Sequence, residues 1–190
     1  MELILVRHGK PITESKGILD AKGFSNCLKK YECSEIDPKS FPCNALLVLI
    51  ENSYIVSSEL PRALHSANIA IRNNATADKK SIQRFSSLNE MQLPNVNLPF
   101  KLAISMWLTI NRLLWFVGFS RNVESYRCAK QRADQMAKEL ISLCEQHKSV
   151  VVFGHGLMNC YIKKSLIKRG WKTTIKLNGA GYWSFTKLTS

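Results

Sequence analysis

Two short apolar runs constrain this chain more than any other feature: Leu3 to Val6 near one end and Val150 to Phe153 near the other. Each stops abruptly beside histidine and glycine, the first at Arg7-His8-Gly9 and the second at Gly154-His155-Gly156. A run without polar alternation is apolar on both faces, which suits a strand buried in a parallel sheet. Both runs are therefore expected to be central strands that end in glycine-containing loops.

The segments between them read as helices and further strands. Asp20 can cap a helix reaching about Lys30, although Gly23 weakens it. Ala45 to Ile50 reads as part of a buried helix and Ser53 to Ser57 as a strand. Pro61 suits the first turn of a helix that Ala63, Leu64, Ala67, Ile69 and Ala70 carry to about Arg72. Ser81 to Phe85 is a short strand. Ala129, Ala133, Met136, Leu140 and Leu143 fall at helical spacing, predicting a long helix from about Val123 to Gln146. After Gly154-His155-Gly156 a further helix runs to about Lys168, and Gly181 to Lys187 alternates like a closing strand. Strands alternating with helices imply a three-layer α/β/α fold around a mostly parallel sheet. Ligands of such sheets collect at the carboxyl ends of the strands, where both glycine-flanked histidines fall.

With 190 residues, no repeat and no Gly, Ser or Pro linker, the whole chain 1–190 reads as one domain. Lys and Arg number 27 against 14 Asp and Glu, a net charge of +13. That excess favours anionic partners without choosing among phosphorylated metabolites, nucleic acid and acidic lipid. The densest basic stretch, Lys163, Lys164, Lys168, Arg169 and Lys172, reads as a solvated helix face. No nucleic-acid motif is present, so that partner is not expected. The six cysteines show no CxxC pair or metal-ligand spacing, and reduced thiols in a cytoplasmic protein are the simplest account. The run at Leu3 to Val6 is too short for a signal peptide.

Only four histidines occur: His8, His65, His147 and His155. Two of them follow strand ends next to glycine, which permits close backbone approach to a ligand and adds amide donors. Val6-Arg7-His8-Gly9 resembles the RHG signature of the histidine phosphatase superfamily, whose fold is that of phosphoglycerate mutase. Val56-Ser57-Ser58-Glu59-Leu60-Pro61-Arg62-Ala63 is similar to its second motif, Leu88-Asn89-Glu90 to the segment that supplies its acid, and Val151 to Gly156 to its closing strand and HG pair. Four motifs in order make a far more specific match than RHG alone.

The resemblance implies that His8 is the nucleophile that takes the phosphoryl group, that Arg7, Arg62 and His155 surround the phosphate oxygens, and that Glu90 is the general acid. It implies a phosphomonoesterase for a small phosphorylated metabolite, working through a phosphohistidine without metal or other cofactor. Phosphate and vanadate are the expected site ligands. A phosphate monoester is a dianion, so its nucleophile must be neutral and its oxygens must be held by cations. The arginine charges are expected to lower the pKa of His8. Gly9, Gly156 and Lys10 are candidate substrate contacts. Relatives often carry Glu-Thr or Glu-Pro after RHG, whereas this chain has Lys10-Pro11. Glu124 is the second candidate acid, otherwise a helix cap; His65 and His147 read as structural.

The segment from Phe100 to Phe119 is strongly apolar around Asn111 and Arg112. Its length and those two polar residues rule against a membrane span. It reads as part of a helical cap inserted at about 95–122, with Trp107 and Trp115 as walls and Arg112 as a second anion contact. A core helix, or a surface meeting membrane or protein, are the alternatives. Two other functions stay open: a phosphohistidine or phosphoprotein phosphatase, and a non-catalytic anion-binding module on the same fold.

Overall fold

The computed structural model describes residues 1–13, 17–74, 80–179 and 181–190. Its centre is a six-stranded sheet built from β1 (Glu2–Arg7), β3 (Tyr54–Ser58), β4 (Ile82–Phe85), β6 (Ser149–Gly154), β7 (Lys172–Leu177) and β8 (Phe185–Thr189). The strand order is β4-β3-β6-β1-β8-β7. The first four of these run parallel, and β8 lies antiparallel between β1 and β7.

The apolar runs sort by alternate residues onto the two faces. Leu3, Leu5, Val150 and Val152 join Ala133, Met136 and Leu140 of α5 (Tyr126–His147) and Met158, Ile162 and Leu166 of α6 (Gly156–Lys168). Ile4, Val6, Val151 and Phe153 join Leu46 and Ile50 of α2 (Asn44–Glu51) and Ala67, Ala70 and Ile71 of α3 (Pro61–Arg72). Both faces of the central strands are covered, which is why β1 and β6 carry no polar residue through their middles. The fold is the three-layer, mostly parallel α/β arrangement expected from the pattern.

A third, smaller core lies beside the sheet. Ala21 and Phe24 of α1 (Ala21–Glu32) bury against Ile104 and Trp107 of α4 (Ile104–Phe116). A two-stranded antiparallel ribbon, β2 (Ile18–Leu19) with β5 (Leu102–Ala103), ties the two helices together. The apolar segment at 100–119 thus packs on residues 18–32 rather than standing alone. No helix among the described residues is long and apolar enough to cross a membrane.

Several boundaries differ from the pattern reading. Asp20 caps α1 by accepting the amide of Gly23 at 2.7 Å, so the glycine stands at the capped turn instead of the helix middle. The long helix starts at Tyr126, because Ser125 is its N-cap and accepts the Cys128 amide at 3.1 Å. Lys172 belongs to a strand, not to a helix face: α6 stops at Lys168, Gly170 turns the chain with φ +91°, and β7 follows. The closing strand begins at Phe185, since Trp183 adopts positive φ just before it and breaks the extended backbone.

Candidate active site

The register of β1 against β6 places the two histidines side by side. Arg7 is paired with Gly154, so His8 and His155 each lie one residue beyond matched strand positions, and the His8 amide donates to the Gly154 carbonyl at 3.0 Å. Their ring centroids are 5.3 Å apart. Ser58 ends β3 on the other side of β6, and Arg62 stands in the first turn of α3, four residues after that strand end. Three adjacent strand ends therefore deliver His8, His155 and Arg62 to one place.

His8 is 2% exposed, and its Nδ1 lies 2.8 Å from the Gly9 carbonyl. A carbonyl only accepts, so Nδ1 carries the hydrogen and the neutral ring keeps its lone pair on Nε2. The pKa of His8 is lowered to about 3, first by burial and then by Arg62 and Arg7, with the Gly9 bond opposing. His155, fully buried, is pushed well below the usual histidine range by burial and by Arg62, His8, Arg7 and Arg132. Both rings are neutral at ordinary pH, surrounded by positive charge.

The two arginines are braced by tyrosines. Arg62 lies over the Tyr31 ring at 4.7 Å and donates through Nη1 to the carbonyls of Tyr31 at 3.2 Å and Glu32 at 3.3 Å. Arg7 lies over the Tyr182 ring at 4.9 Å and hydrogen-bonds the Tyr31 side chain. Burial raises the Tyr31 pKa, with Arg62 and Arg7 opposing. Nε of Arg62 and Nδ1 of His155 are buried with no hydrogen-bond partner among the described residues. Buried polar atoms are seldom left so. Arg62 Nε is a donor that fits an oxyanion, and His155 Nδ1 becomes one when that nitrogen is protonated.

Glu90 reaches the same place from the loop after β4. Its carboxylate accepts the amides of Met158 at 3.0 Å, Leu157 at 3.3 Å and Met91 at 3.1 Å, so it sits on the N-terminal turn of α6. Arg132 holds that loop by donating to the carbonyls of Ser87 at 2.7 Å and Asn89 at 2.8 Å. Glu124 does not cap α5; it pairs with Arg132 instead.

Other candidates fall elsewhere. The Gly9 amide is engaged by Ser66 Oγ at 2.8 Å, and a Cβ on Gly9 would stand 2.8 Å from the Trp183 ring. Glycine is needed there for the close approach of that indole, and the amide is not open to a ligand. Lys10 lines neither of the clefts described below; its amide and carbonyl anchor Ser40 and Asp37. Gly156 does line a cleft, against the Arg7 guanidinium. His65 lies 3.6 Å from Glu35, and His147 stacks on Tyr54 with centroids 3.8 Å apart.

Trp107 and Trp115 are not cleft walls. Both are fully buried, Trp107 stacked on Phe24 and donating to the Leu19 carbonyl at 2.8 Å, Trp115 donating to the Glu124 carbonyl at 2.9 Å. Helical spacing puts Ile104, Trp107, Asn111 and Trp115 on the inward face of α4. Asn111, a polar interruption in the sequence, is satisfied there by the Val96 amide and the Trp107 carbonyl. Leu108 and Arg112 lie toward the site instead. They line a cleft of about 370 Å³ together with Phe24, Leu28, Tyr31 and Arg62. A second cleft of about 520 Å³ meets it at Arg7, Glu90, Arg112 and Leu157.

Tyr31, Tyr182 and Arg132 were not singled out from sequence. Their roles come from contacts between elements remote in the chain: Tyr31 lies in the last turn of α1, Tyr182 precedes β8 and Arg132 lies within α5, and nothing local in the sequence marks them.

Comparison with known proteins gives one family match. The model of the histidine phosphatase superfamily (branch 1) matches residues 44–189, a span that contains Arg62, Glu90 and His155 and begins after His8. No curated protein sequence matches the chain. A phosphoglycerate mutase from Bacillus anthracis shares the fold with a TM-score of 0.63 at 16% identity, over 100% of this chain and 88% of that one. A mycobacterial glucosyl-3-phosphoglycerate phosphatase, solved with VO3, gives 0.61 at 17% identity over 99% and 92%. A phosphoserine phosphatase from Entamoeba histolytica, a mutant in complex with phosphoserine, gives 0.54 at 18% identity over 100% and 95%. At these identities the likeness is one of fold.

Proposed function

Given that this chain belongs to the histidine phosphatase superfamily, branch 1, we propose that it is a phosphomonoesterase that hydrolyses a small phosphorylated metabolite through a phosphohistidine on His8. One observation carries the reading. His8 is a buried neutral imidazole whose Nδ1 is engaged by Gly9, leaving Nε2 as the only nucleophilic nitrogen, beside two arginines and a second histidine.

In this reading Arg7, Arg62 and His155 hold the phosphate oxygens. His155 takes a proton from solvent on Nδ1 as the dianion arrives and returns it when phosphate leaves, because the incoming negative charge offsets the burial and the arginine charges that otherwise keep the ring neutral. The lone pair of His8 Nε2 forms the P–N bond as the P–O bond to the alcohol breaks. Glu90 supplies the proton that the leaving alkoxide takes up. The resulting carboxylate then accepts a proton from water as that water attacks phosphorus, releasing inorganic phosphate and restoring the His8 lone pair. The guanidinium and imidazole groups supply the charge stabilisation, so the proposed chemistry calls for no metal. Phosphate and vanadate are the ligands this site would take.

We read residues 1–190 as one domain in which α4, with α1 and the β2–β5 ribbon, forms a cap over the clamp. The apolar lining from Phe24, Leu28 and Leu108 supports a small organic alcohol as leaving group over a folded phosphoprotein.

The deciding assay uses p-nitrophenyl phosphate in excess EDTA with wild type, His8→Ala and Glu90→Gln. Turnover should survive EDTA and vanish in His8→Ala. Glu90→Gln should lose far more with alkyl phosphates than with p-nitrophenyl phosphate, whose leaving group needs little protonation. Full turnover by His8→Ala would end the phosphohistidine reading.

A further inference from the structure

The clamp opens on two sides. One side is the apolar cleft beneath α1 and α4. The other, about 520 Å³, runs from Arg7 along α6 toward the β8–β7 edge, and its lining carries the larger excess of positive charge. Arg7, Arg112, Lys163 and Lys176 face it, against one acid, Glu90. The three outer cations arrive from three separate elements: Arg112 from α4, Lys163 from α6 and Lys176 from β7.

Four cations outside this cleft pair with a carboxylate. Lys187 pairs with Glu2, Lys138 and Arg169 with Asp134, and Arg132 with Glu124. Among the described residues, Arg112, Lys163 and Lys176 have no carboxylate partner. Like charges gathered around one cleft repel each other, and the free energy of that arrangement improves when an anion enters. Lys163, which the sequence alone assigns to a solvated helix face, thus lies on the wall of a cleft continuous with the clamp.

Resting on the reading of Arg7 and His8 as the phosphate site, the geometry points to this cleft as a second-anion subsite. The substrate is then a phosphomonoester whose alcohol part carries a second negative group, a carboxylate or a second phosphate. That group reaches Arg112, Lys163 and Lys176 while the reacting phosphoryl group lies in the clamp. An ammonium is a point charge without the fork of a guanidinium, so the two lysines recognise charge more than shape. Net charge separates the two clefts: Arg7, Arg62 and Arg112 stand against Glu32 and Glu90 in the first, and Arg7, Arg112, Lys163 and Lys176 against Glu90 in the second.

Non-hydrolysable probes test this without depending on turnover. Affinities of butylphosphonate and of the α,ω-bisphosphonates of ethane through hexane are measured by calorimetry. The proteins are wild type, the double variant Lys163→Gln with Lys176→Gln, and a charge-matched control, Lys130→Gln with Lys168→Gln, neither of which lines the cleft. At least one bisphosphonate should bind wild type about ten-fold or more tighter than butylphosphonate, as charge-assisted contacts allow. The cleft variant should cut that advantage to roughly the two-fold that two equivalent heads give by statistics alone, and leave butylphosphonate affinity unchanged. The control should keep the advantage.

An advantage of two-fold or less in wild type for every spacer, or one untouched by the cleft variant, overturns the subsite. Turnover of p-nitrophenyl phosphate by the same preparations separates the two readings. Turnover without bisphosphonate preference leaves a phosphatase and removes the subsite. Preference lost in the cleft variant but without turnover keeps the subsite and removes the phosphatase.

Discussion

Ser58 Oγ lies 2.8 Å from Nε2 of His155, and the same oxygen donates its own hydrogen to Asn89 Oδ1 at 2.8 Å. The serine can therefore only accept from the imidazole, which fixes the hydrogen on Nε2 and leaves Nδ1 for a ligand. This one bond couples the tautomer of a clamp residue to the loop that carries Glu90.

Replacing Ser58 by alanine frees the His155 ring and leaves its Nε2–H buried without an acceptor. Loss of such a bond costs about 1–3 kcal/mol, so kcat/KM for p-nitrophenyl phosphate should fall roughly ten-fold or more. Ser58→Thr, which keeps the hydroxyl, should recover most of it. Equal activity in the alanine and threonine variants would show that the bond only supports the strand.

His8 and His155 also set how stability depends on pH. Their folded pKa values lie below 6.5, about 3 for His8. Below pH 6.5 the unfolded chain binds protons at these sites that the folded protein does not, so stability falls as pH falls toward the folded values. The limiting slope is about 1.4 kcal/mol per pH unit for each histidine. Urea unfolding between pH 7 and pH 5 should show wild type losing more than His8→Gln over the same interval. Parallel curves would mean that His8 does not titrate differently on folding.

Arg132 touches neither clamp nor cleft, yet it holds the carbonyls on both sides of the Glu90 loop and pairs with Glu124. Arg132→Met should act through Glu90. It should lower kcat on alkyl phosphates about ten-fold by misplacing the proposed acid, with a much smaller effect on p-nitrophenyl phosphate. A uniform loss across leaving groups would place the defect in the clamp instead. Arg132→Lys, with one donor head for three partners, should fall between.

Gly9→Ala tests how closely the loop and the indole are packed. Its Cβ would stand 2.8 Å from three atoms of the Trp183 ring, and Trp183 Nε1 is tied to Ser40 Oγ at 2.8 Å. Overpacking of this kind costs about 1–3 kcal/mol, so Tm should drop by several degrees. Activity should fall with it, because the His8 carbonyl accepts from the Trp183 amide at 3.3 Å and will move with the loop. An unchanged Tm would show that Trp183 swings aside freely.

Much of this was legible in the order of residues. The runs at Leu3 to Val6 and Val150 to Phe153, the cap at Asp20, Pro61 in a first turn and the spacing of Ala129 to Leu140 are local patterns, and local backbone preference decides them. The turns at Asn178 and at Trp183 and the strand β7 were not legible in the same way. Positive φ at Asn178 and Trp183 has no composition signal of the strength that glycine gives, and β7 is an exposed edge whose lysines and threonines resemble a solvated face.

The sequence by itself determined the central strands, the helices that cover them and the four motifs that gather arginine, histidine and glutamate, because each depends on residues close in the chain. Only the tertiary structure decided what those residues face. The pairing of Arg7 with Gly154 sets His8 beside His155. Packing of α4 on α1 buries Trp107 and turns Arg112 to the clefts. The first turn of α6 receives Glu90, and the β8–β7 edge brings Lys176 to the same cleft as Lys163. Each of these joins segments remote in sequence, where burial and backbone register, rather than local propensity, fix which side chains meet.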